Sequence, residues 1–315
     1  MVVAFLRRTG VLVLTLAVAS LLVFLLLAIL PGDIARTQLG LDATETEVEA
    51  LREELGLNRP APVRYLTWVA GLLRGDMGIS YASRTPVAPQ VFDALQVSLI
   101  LVTAGILVAV VVALPLGTLA ALRHGRPTGA IVGALSQVGI AVPSFVAGLL
   151  LVAIFAVGLG WLPSGGWVAP ADDLSTHLRH LVLPALALGL VRGAILARYT
   201  RAAVLDIQRE DFMRTARAKG LTSGRAMVRH GIRNALIPVV TVTGVEFSAL
   251  IVGAVVIETV FVLPGLGSLL LRSVANRDLI QVQAIVMVIV ALVLLVNFLV
   301  DLAHTAIDPR LRRHA

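Results

Sequence analysis

Long apolar runs separated by short polar segments dominate the chain. A helix rises about 1.5 Å per residue, so about 20 apolar residues cross the hydrocarbon core of a bilayer. Six runs reach or approach that length: 10–30, 94–122, 129–159, 181–197, 235–262 and 279–300. Because a helix satisfies its own backbone polar groups in lipid, the pattern predicts an all-α integral membrane protein with six transmembrane helices.

Composition agrees with this pattern. Of the 315 residues, 58% are hydrophobic and only 14% are charged, which excludes an ordinary water-soluble domain. The chain lacks cysteine, so disulfides and thiolate metal ligands are excluded as well. We expect a single transmembrane domain over residues 1–315.

The formal net charge of +7 is distributed according to topology rather than as a nucleic-acid surface. Sixteen basic residues lie at the two termini, after the second apolar run and in residues 198–233, against three in the two short opposite loops. The positive-inside rule therefore places both termini and the 198–233 loop in the cytoplasm. Residues 31–94 are expected outside, since long loops cross largely regardless of charge.

Local structure can be predicted in the external loop and at two prolines. Thr44 and Glu47 fit a capping box, which predicts a short helix in the loop. An aromatic segment from Tyr65 through Trp68 suits the outer membrane interface. Pro143 and Pro238 lie inside apolar runs and predict kinks or local breaks, because proline lacks a backbone donor.

Residues 212–238 contain the most informative pattern. It reads as helix, break, helix: Gly220 is placed to end the first helix in a left-handed cap, with Leu221 folding back on Ala216. Thr222 or Ser223 then caps the next helix. Ala216 and Ala218 leave room for close approach by another protein, which goes beyond what a merely topological basic loop requires.

This stretch resembles the coupling loop of importer permeases in the dipeptide, oligopeptide and nickel class of binding-protein-dependent ABC importers. Further motifs of that class occur in order along the chain. They are Phe24 through Pro31-Gly32-Asp33, Glu54-Leu55-Gly56-Leu57, Arg64-Tyr65, Leu73 through Ser80, Val142-Pro143-Ser144-Phe145, Gly160-Trp161-Leu162-Pro163, His180 through Pro184, Glu258-Thr259-Val260-Phe261, Pro264-Gly265-Leu266-Gly267 and Asp308-Pro309-Arg310.

The resemblance implies a type I importer permease in a bacterial inner membrane. Its partners would be a second related permease, two ATPase subunits that bind ATP and Mg, and an external solute-binding protein. The residues implied to couple to the ATPase are Thr215, Ala216, Arg217, Ala218, Lys219, Gly220 and Leu221. Thr215 stands where many such importers have glutamate, so its partner stays open. The substrate stays open too: a dipeptide, an oligopeptide, a nickel complex, glutathione or another solute, such as a larger hydrophobic one.

The sequence gives little support for a catalytic site or a metal-binding site in this chain. The only lysine, Lys219, precedes a glycine rather than following one, so a nucleotide-binding P-loop is absent and this chain is not itself the ATPase. A Ser/His/Asp constellation at consistent depth is missing, which argues against a membrane enzyme. His177 and His180 fit a solvated rim or helix start better than a divalent-metal site, so we assign no metal site.

Three ionisable residues fall inside apolar runs, where charge is costly and usually faces the bundle interior or a wet path. They are Arg192, Glu246 and Glu258. Arg192 and Glu246 come at similar depth, so they either pair or face the translocation pathway separately. Glu258 is read first as a structural tie. The alternative function is a self-contained secondary transporter that uses these charges for coupling, although matching halves are not visible in the sequence.

Overall fold

A computed structural model describes residues 2–29, 36, 39, 43–54 and 56–307. Its α-helices are α1 (Val2–Ile29), α2 (Glu45–Glu54), α3 (Ala61–Leu73), α4 (Val87–Leu122), α5 (Pro127–Ala141), α6 (Ser144–Leu151), α7 (Leu174–Arg209), α8 (Asp211–Ala218), α9 (Ser223–Ala226), α10 (Ile232–Val260), α11 (Leu266–Ala275) and α12 (Leu279–Ile307). π-Helical turns occupy Val152–Gly158 and Met227–Gly231. The motifs at Pro31-Gly32-Asp33, at Leu55 and at Asp308-Pro309-Arg310 lie outside the described residues.

The predicted all-helical class is confirmed within the described part of the chain. Helices α1, α4, α7, α10 and α12 each contain a stretch long and apolar enough to cross a membrane. The pair formed by α5 and the α6 to Gly158 segment meets the same criterion across a bend. The described chain therefore has five candidate spans, or six if the bent pair is one span, and six crossings stay a prediction.

The bent pair has a local cause. Pro127–Ala141 and Ser144–Gly158 meet at 101°, and Val142 between them is extended, with ψ of 121°. The residue before a proline avoids the helical region, and the proline itself lacks a donor, so the predicted break at Pro143 is confirmed. At Pro238 helix α10 continues without a break, and the predicted kink there stays a prediction.

The first compact unit contains Met1–Gln96 and Gly265–Leu295. In it, Phe24 of α1 meets Tyr65 of α3 edge to face at a centroid distance of 5.5 Å. The hydroxyls of Ser20 and Tyr65 lie 2.8 Å apart. These contacts hold α3 against α1, although the sequence had suggested only an interfacial role for Tyr65.

The capping box in this unit is confirmed. The Thr44 backbone N–H donates to Glu47 Oε2 at 2.9 Å, and the Glu47 N–H donates back to Thr44 Oγ1 at 3.4 Å. The hydrogen bond from the Thr44 backbone lowers the pKa of the Glu47 carboxyl. Val48 on the same helix is fully buried.

A buried carboxylate joins a turn to a helix start in the same unit. Asp278 accepts hydrogen bonds from the Ser80 hydroxyl and from the Ala82 N–H at 3.3 Å. Its other oxygen accepts the Gln281 N–H at 3.2 Å, in the first turn of α12. Burial raises the pKa of the neighbouring Tyr81 hydroxyl to about 12. Ser80 and Asp278 are 198 positions apart, so local sequence patterns give no signal for this contact.

The second compact unit contains Val97–Pro264 and Val296–Ala315, and α7 packs against α5, α6 and α10 in it. Glycines let α4 and α7 approach closely. A Cβ on Gly189 would lie 2.5 Å from Val108 Cβ, and one on Gly117 would lie 2.6 Å from the Ala197 carbonyl oxygen. Small residues at such contacts are typical of helix packing in membranes.

Helix α7 is 36 residues long and extends well beyond the apolar run at 181–197. Asp173 caps its start by accepting the N–H groups of Ser175 and Thr176. At the other end the helix continues to Arg209, so the 198–233 loop begins as a helical extension. The prediction of one domain over the whole chain stays a prediction.

Candidate functional site

The 212–221 segment begins within the short helix α8, which has one buried and one exposed face. Met213 and Ala216 are buried. They pack in an apolar cluster with Val204 of α7 and with Met227 and Ala235. Because these partners come from three neighbouring elements, the segment is anchored on the ends of α7 and α10.

Most other residues of the segment are exposed. Thr215, Arg217, Ala218 and Lys219 all face away from the apolar cluster. Ala216 was expected to leave room for another protein, but it is buried against this chain's own residues. Its period along the helix explains this, since it falls one turn after the buried Met213. Ala218 is the alanine that is exposed.

The end of α8 confirms the predicted left-handed cap. Gly220 has φ of +88°. Its N–H donates to the Arg217 carbonyl at 2.9 Å, and the Leu221 N–H donates to the Ala216 carbonyl at 3.3 Å. This pair of bonds is the Schellman arrangement, which satisfies carbonyls that the helix end would otherwise leave without partners. Leu221 therefore folds back on Ala216 as predicted.

The connection to α10 is also specified by local contacts. Thr222 caps α9, accepting the Arg225 N–H on its side chain at 3.4 Å. A π-helical turn follows, and a Cβ on Gly231 would lie 2.3 Å from Met227 Sδ. The Met227 side chain packs directly against Gly231, and the 212–221 segment leads into α10 through compact turns.

Polar side chains of α8 make weak or local contacts within the chain. The Thr215 hydroxyl donates to the Asp211 carbonyl at 3.0 Å, and Arg217 Nε donates to the Met213 carbonyl at 3.4 Å. Arg214 approaches Asp211 at 3.5 Å, with both side chains exposed. Such exposed pairs contribute little stability, so the basic face is available to a partner.

The structure brings two of the three intramembrane candidates together. Arg192 of α7 and Glu246 of α10 form an ion pair with Nη1 and Oε2 3.0 Å apart. Their side chains are 27% and 13% exposed, so the pair is largely withdrawn from solvent. Gly253 lies two turns beyond Glu246, and a Cβ there would be 3.8 Å from Arg192 Nη2.

Glu258 occupies a separate place. It is 1% exposed, and its Oε1 accepts a hydrogen bond from the Ser98 hydroxyl of α4 at 2.5 Å. This contact ties α10 to α4. Ser98 was missed by sequence reasoning because a single serine in an apolar run gives little signal. In the same unit, Asn297 Oδ1 accepts a hydrogen bond from Ser248 at 3.0 Å.

The two histidines near the start of α7 bind different backbone carbonyls. His177 Nδ1 lies 2.8 Å from the Val168 oxygen, and its ring meets Trp167 edge to face at 4.8 Å. His180 Nδ1 lies 2.9 Å from the Gly165 oxygen. Both imidazoles therefore fix the loop that precedes α7.

Two models of known protein families match this chain. Residues 113–313 match the family described as binding-protein-dependent transport system inner membrane component. Residues 1–102 match the N-terminal model of binding-protein-dependent transport system membrane components. These two matches cover most of the chain.

Individual relatives are similar over nearly their whole length. The chain is 38% identical over 307 residues to a probable peptide ABC transporter permease of Sinorhizobium fredii, covering 98% of each protein. It is 40% identical over 309 residues to the glutathione transport system permease GsiC of Pectobacterium atrosepticum, again covering 98% of each. The GsiC protein of Escherichia coli K12 is 39% identical over 298 residues, covering 95% of each.

A solved structure supports the fold. It is an amino acid ABC transporter with histidines, and it matches with a TM-score of 0.52 at 18% identity. The match covers 69% of this chain and 94% of that one. At this identity the likeness concerns the fold alone.

Proposed function

The chain belongs to the family of inner-membrane components of binding-protein-dependent transport systems, and we propose that, as the transmembrane subunit of such an ABC importer, it passes short peptides or a similar small solute. Two of its relatives are named for peptide and for glutathione transport, which supports this substrate class. The protein is a multi-pass component of the bacterial inner membrane.

The 212–221 segment carries the mechanistic part of the proposal. Its buried face is anchored on the ends of α7 and α10, and its exposed face presents Thr215, Ala218 and Lys219. A push or pull on this surface is passed to two helices that contain candidate spans. We therefore assign residues 212–221 as the contact for a separate ATPase subunit.

The energy source lies in partner subunits under this proposal. Two ATPases bind ATP and Mg, a second related permease completes the pathway, and an external binding protein delivers the solute. The chain itself has a translocating and not a catalytic role, in keeping with its family. A self-contained secondary transporter is set aside, because the family is that of importer subunits.

The proposed topology follows the charge distribution. Both termini and residues 198–233 lie in the cytoplasm, residues 31–94 lie outside, and the bent pair of α5 and α6 crosses as one span. The basic face of α8 is then on the side where ATP is available.

Reconstitution of the whole complex tests the function. We expect uptake of a labelled di- or tripeptide, or of glutathione, that requires the binding protein, both permeases and ATP hydrolysis by the ATPase subunits. Uptake that proceeds without the ATPases and follows an ion gradient would instead support the secondary transporter.

A further inference from the structure

An apolar groove of about 400 Å³ lies between α4, α7 and α10. Leu119 and Val204 form parts of its walls on α4 and α7, and Leu236 and Val239 line it on α10. Thr200 also lines it, but its hydroxyl is already bonded to the Leu196 carbonyl at 2.8 Å. Such walls offer water too few hydrogen-bond partners, so the groove suits an apolar occupant.

The groove adjoins the apolar cluster that anchors the 212–221 segment. Val204 and Ala235 belong to the cluster and also line the groove. Leu122 and Ile232 likewise line the groove and pack against the cluster. Whatever fills the groove therefore touches the same side chains that hold α8 in place.

Cationic side chains follow the groove residues at one end. Arg123 comes directly after Leu122, Arg201 directly after Thr200, and Arg233 directly after Ile232. The sequence stretches 120–126, 200–205 and 229–236 contain no acidic residue. Basic residues therefore predominate next to this end of the groove in sequence, and Asp206 on α7 follows directly after the second stretch.

Arg201 has hydrogen-bonding capacity to spare. One of its terminal nitrogens lies 3.0 Å from His124 Nδ1. Its Nε is buried and lacks a hydrogen-bond partner among the described residues. Since Nε is closed off from solvent, an anion at this end of the groove would accept hydrogen bonds from the terminal N–H groups of the planar fork, which matches phosphate oxygens.

We propose that the groove binds an acyl chain of an anionic phospholipid of the cytoplasmic leaflet, whose phosphate meets the arginines at the rim. The apolar walls fit the chain, and the charge of the rim fits the headgroup, as in basic pockets between transmembrane helices. The inference rests on the proposed cytoplasmic side of residues 198–233. Because the lipid would support the α8 cluster, coupling to the ATPase would depend on anionic lipid.

Filling the groove with a side chain tests the acyl-chain part. The full complex is placed in nanodiscs of phosphatidylcholine with or without phosphatidylglycerol, and retained lipid is measured by native mass spectrometry. We expect Leu236→Trp to lose the retained phosphatidylglycerol and to make ATPase stimulation independent of it. Val240→Trp is the matched control, because Val240 is 47% exposed on the same helix and does not line the groove. Leu119→Trp, from the α4 wall, is a second variant if the first does not assemble.

Removing a rim charge tests the headgroup part. We expect Arg201→Gln to weaken phosphatidylglycerol binding about fivefold, since one interfacial arginine contributes about 1 kcal/mol. Arg209→Gln, at the exposed end of α7, should leave the affinity unchanged. Equal lipid retention by wild type and Leu236→Trp, or cross-linking of the second permease into the groove, would overturn the inference. Uptake by the wild-type complex tests the proposed function separately.

Discussion

Arg192 and Glu246 join α7 to α10 through a 3.0 Å ion pair between Nη1 and Oε2. Both side chains are mostly buried, in segments long and apolar enough to span the membrane. Neither charge is stable alone in such surroundings, but each neutralises the other. The pair therefore lets two costly residues persist in the same bundle, whether or not a solute also meets them.

Charge deletions should show this coupling. We expect Arg192→Leu and Glu246→Leu each to lower the thermal stability of the purified complex, because each leaves a charge without its partner. The double variant should recover much of the loss, with a coupling energy of about 0.5–3 kcal/mol. Ser248→Ala, which removes a neutral hydrogen bond on the same helix, is a control for general damage to α10. Simple addition of the two single effects would show that the charges act separately, and would favour a role for Glu246 in the pathway.

The left-handed cap at Gly220 should be needed for transport. A Cβ at Gly220 would meet nothing within 4 Å, so a substitution there acts through backbone strain alone. With φ of +88°, Gly220→Val should cost roughly 1–2 kcal/mol locally and reduce ATPase-coupled uptake. Gly220→Asn should be milder, since asparagine tolerates this conformation. Gly224→Val, also in open space but within α9, is the matched control. Equal uptake by all three variants would remove the cap from the mechanism.

Ala218 should mark the contact with the ATPase subunit. It is exposed at the end of α8, so Ala218→Trp adds bulk to the outer face without disturbing the buried cluster. We expect loss of ATPase binding in a pull-down from detergent, with normal membrane insertion. Ala202→Trp, at an exposed position on the helical extension of α7, should bind normally. Full binding and uptake by Ala218→Trp would place the contact elsewhere.

The cap of α7 should give stability a component that depends on pH. The Thr176 hydroxyl, followed by the backbone N–H groups of Thr176 and Ser175, lowers the pKa of Asp173 below 3.8. A lowered pKa means that the stabilisation is present above the unfolded value and is lost as the pH falls through the folded one. Asp173→Asn keeps an acceptor but does not titrate, so its difference in Tm from wild type should be constant at neutral pH and change below about pH 4. Asp172→Asn, which keeps the cap, should show the wild-type profile.

Sequence patterns predicted the elements whose causes are local. The capping box at Thr44, the break at Pro143 and the left-handed Gly220 all depend on residues within a few positions of each other, and all are confirmed. The length of α7 was underestimated, because hydropathy detects the part suited to lipid and not the polar turns that continue the same helix. At Pro238 the helix is not broken, since the surrounding helical turns continue without that donor, and the alternative of a kink stays a prediction.

Most contacts between distant segments could not be predicted from the sequence. The similar depths of Arg192 and Glu246 left two alternatives open, and only the positions of α7 and α10 bring the atoms together. Ser98 gave no signal, since its importance comes from the distant Glu258. Periodicity puts Ala216 on the same face of α8 as Met213, but only the packing of α8 in the apolar cluster shows that this face is the buried one.

Labelling of single introduced cysteines should establish the topology, which the charge distribution predicts and on which both proposals depend. The natural chain has no cysteine, so each variant carries one reactive thiol. Ser223 and Ser83 are both exposed, one in the proposed cytoplasmic segment and one in the proposed external segment. An impermeant maleimide added to spheroplasts should label Ser83→Cys and not Ser223→Cys, because only the first faces the medium. Lysis should make Ser223→Cys reactive, which controls for a buried thiol. Labelling of Ser223→Cys before lysis would reverse the orientation and place the basic face of α8 away from ATP.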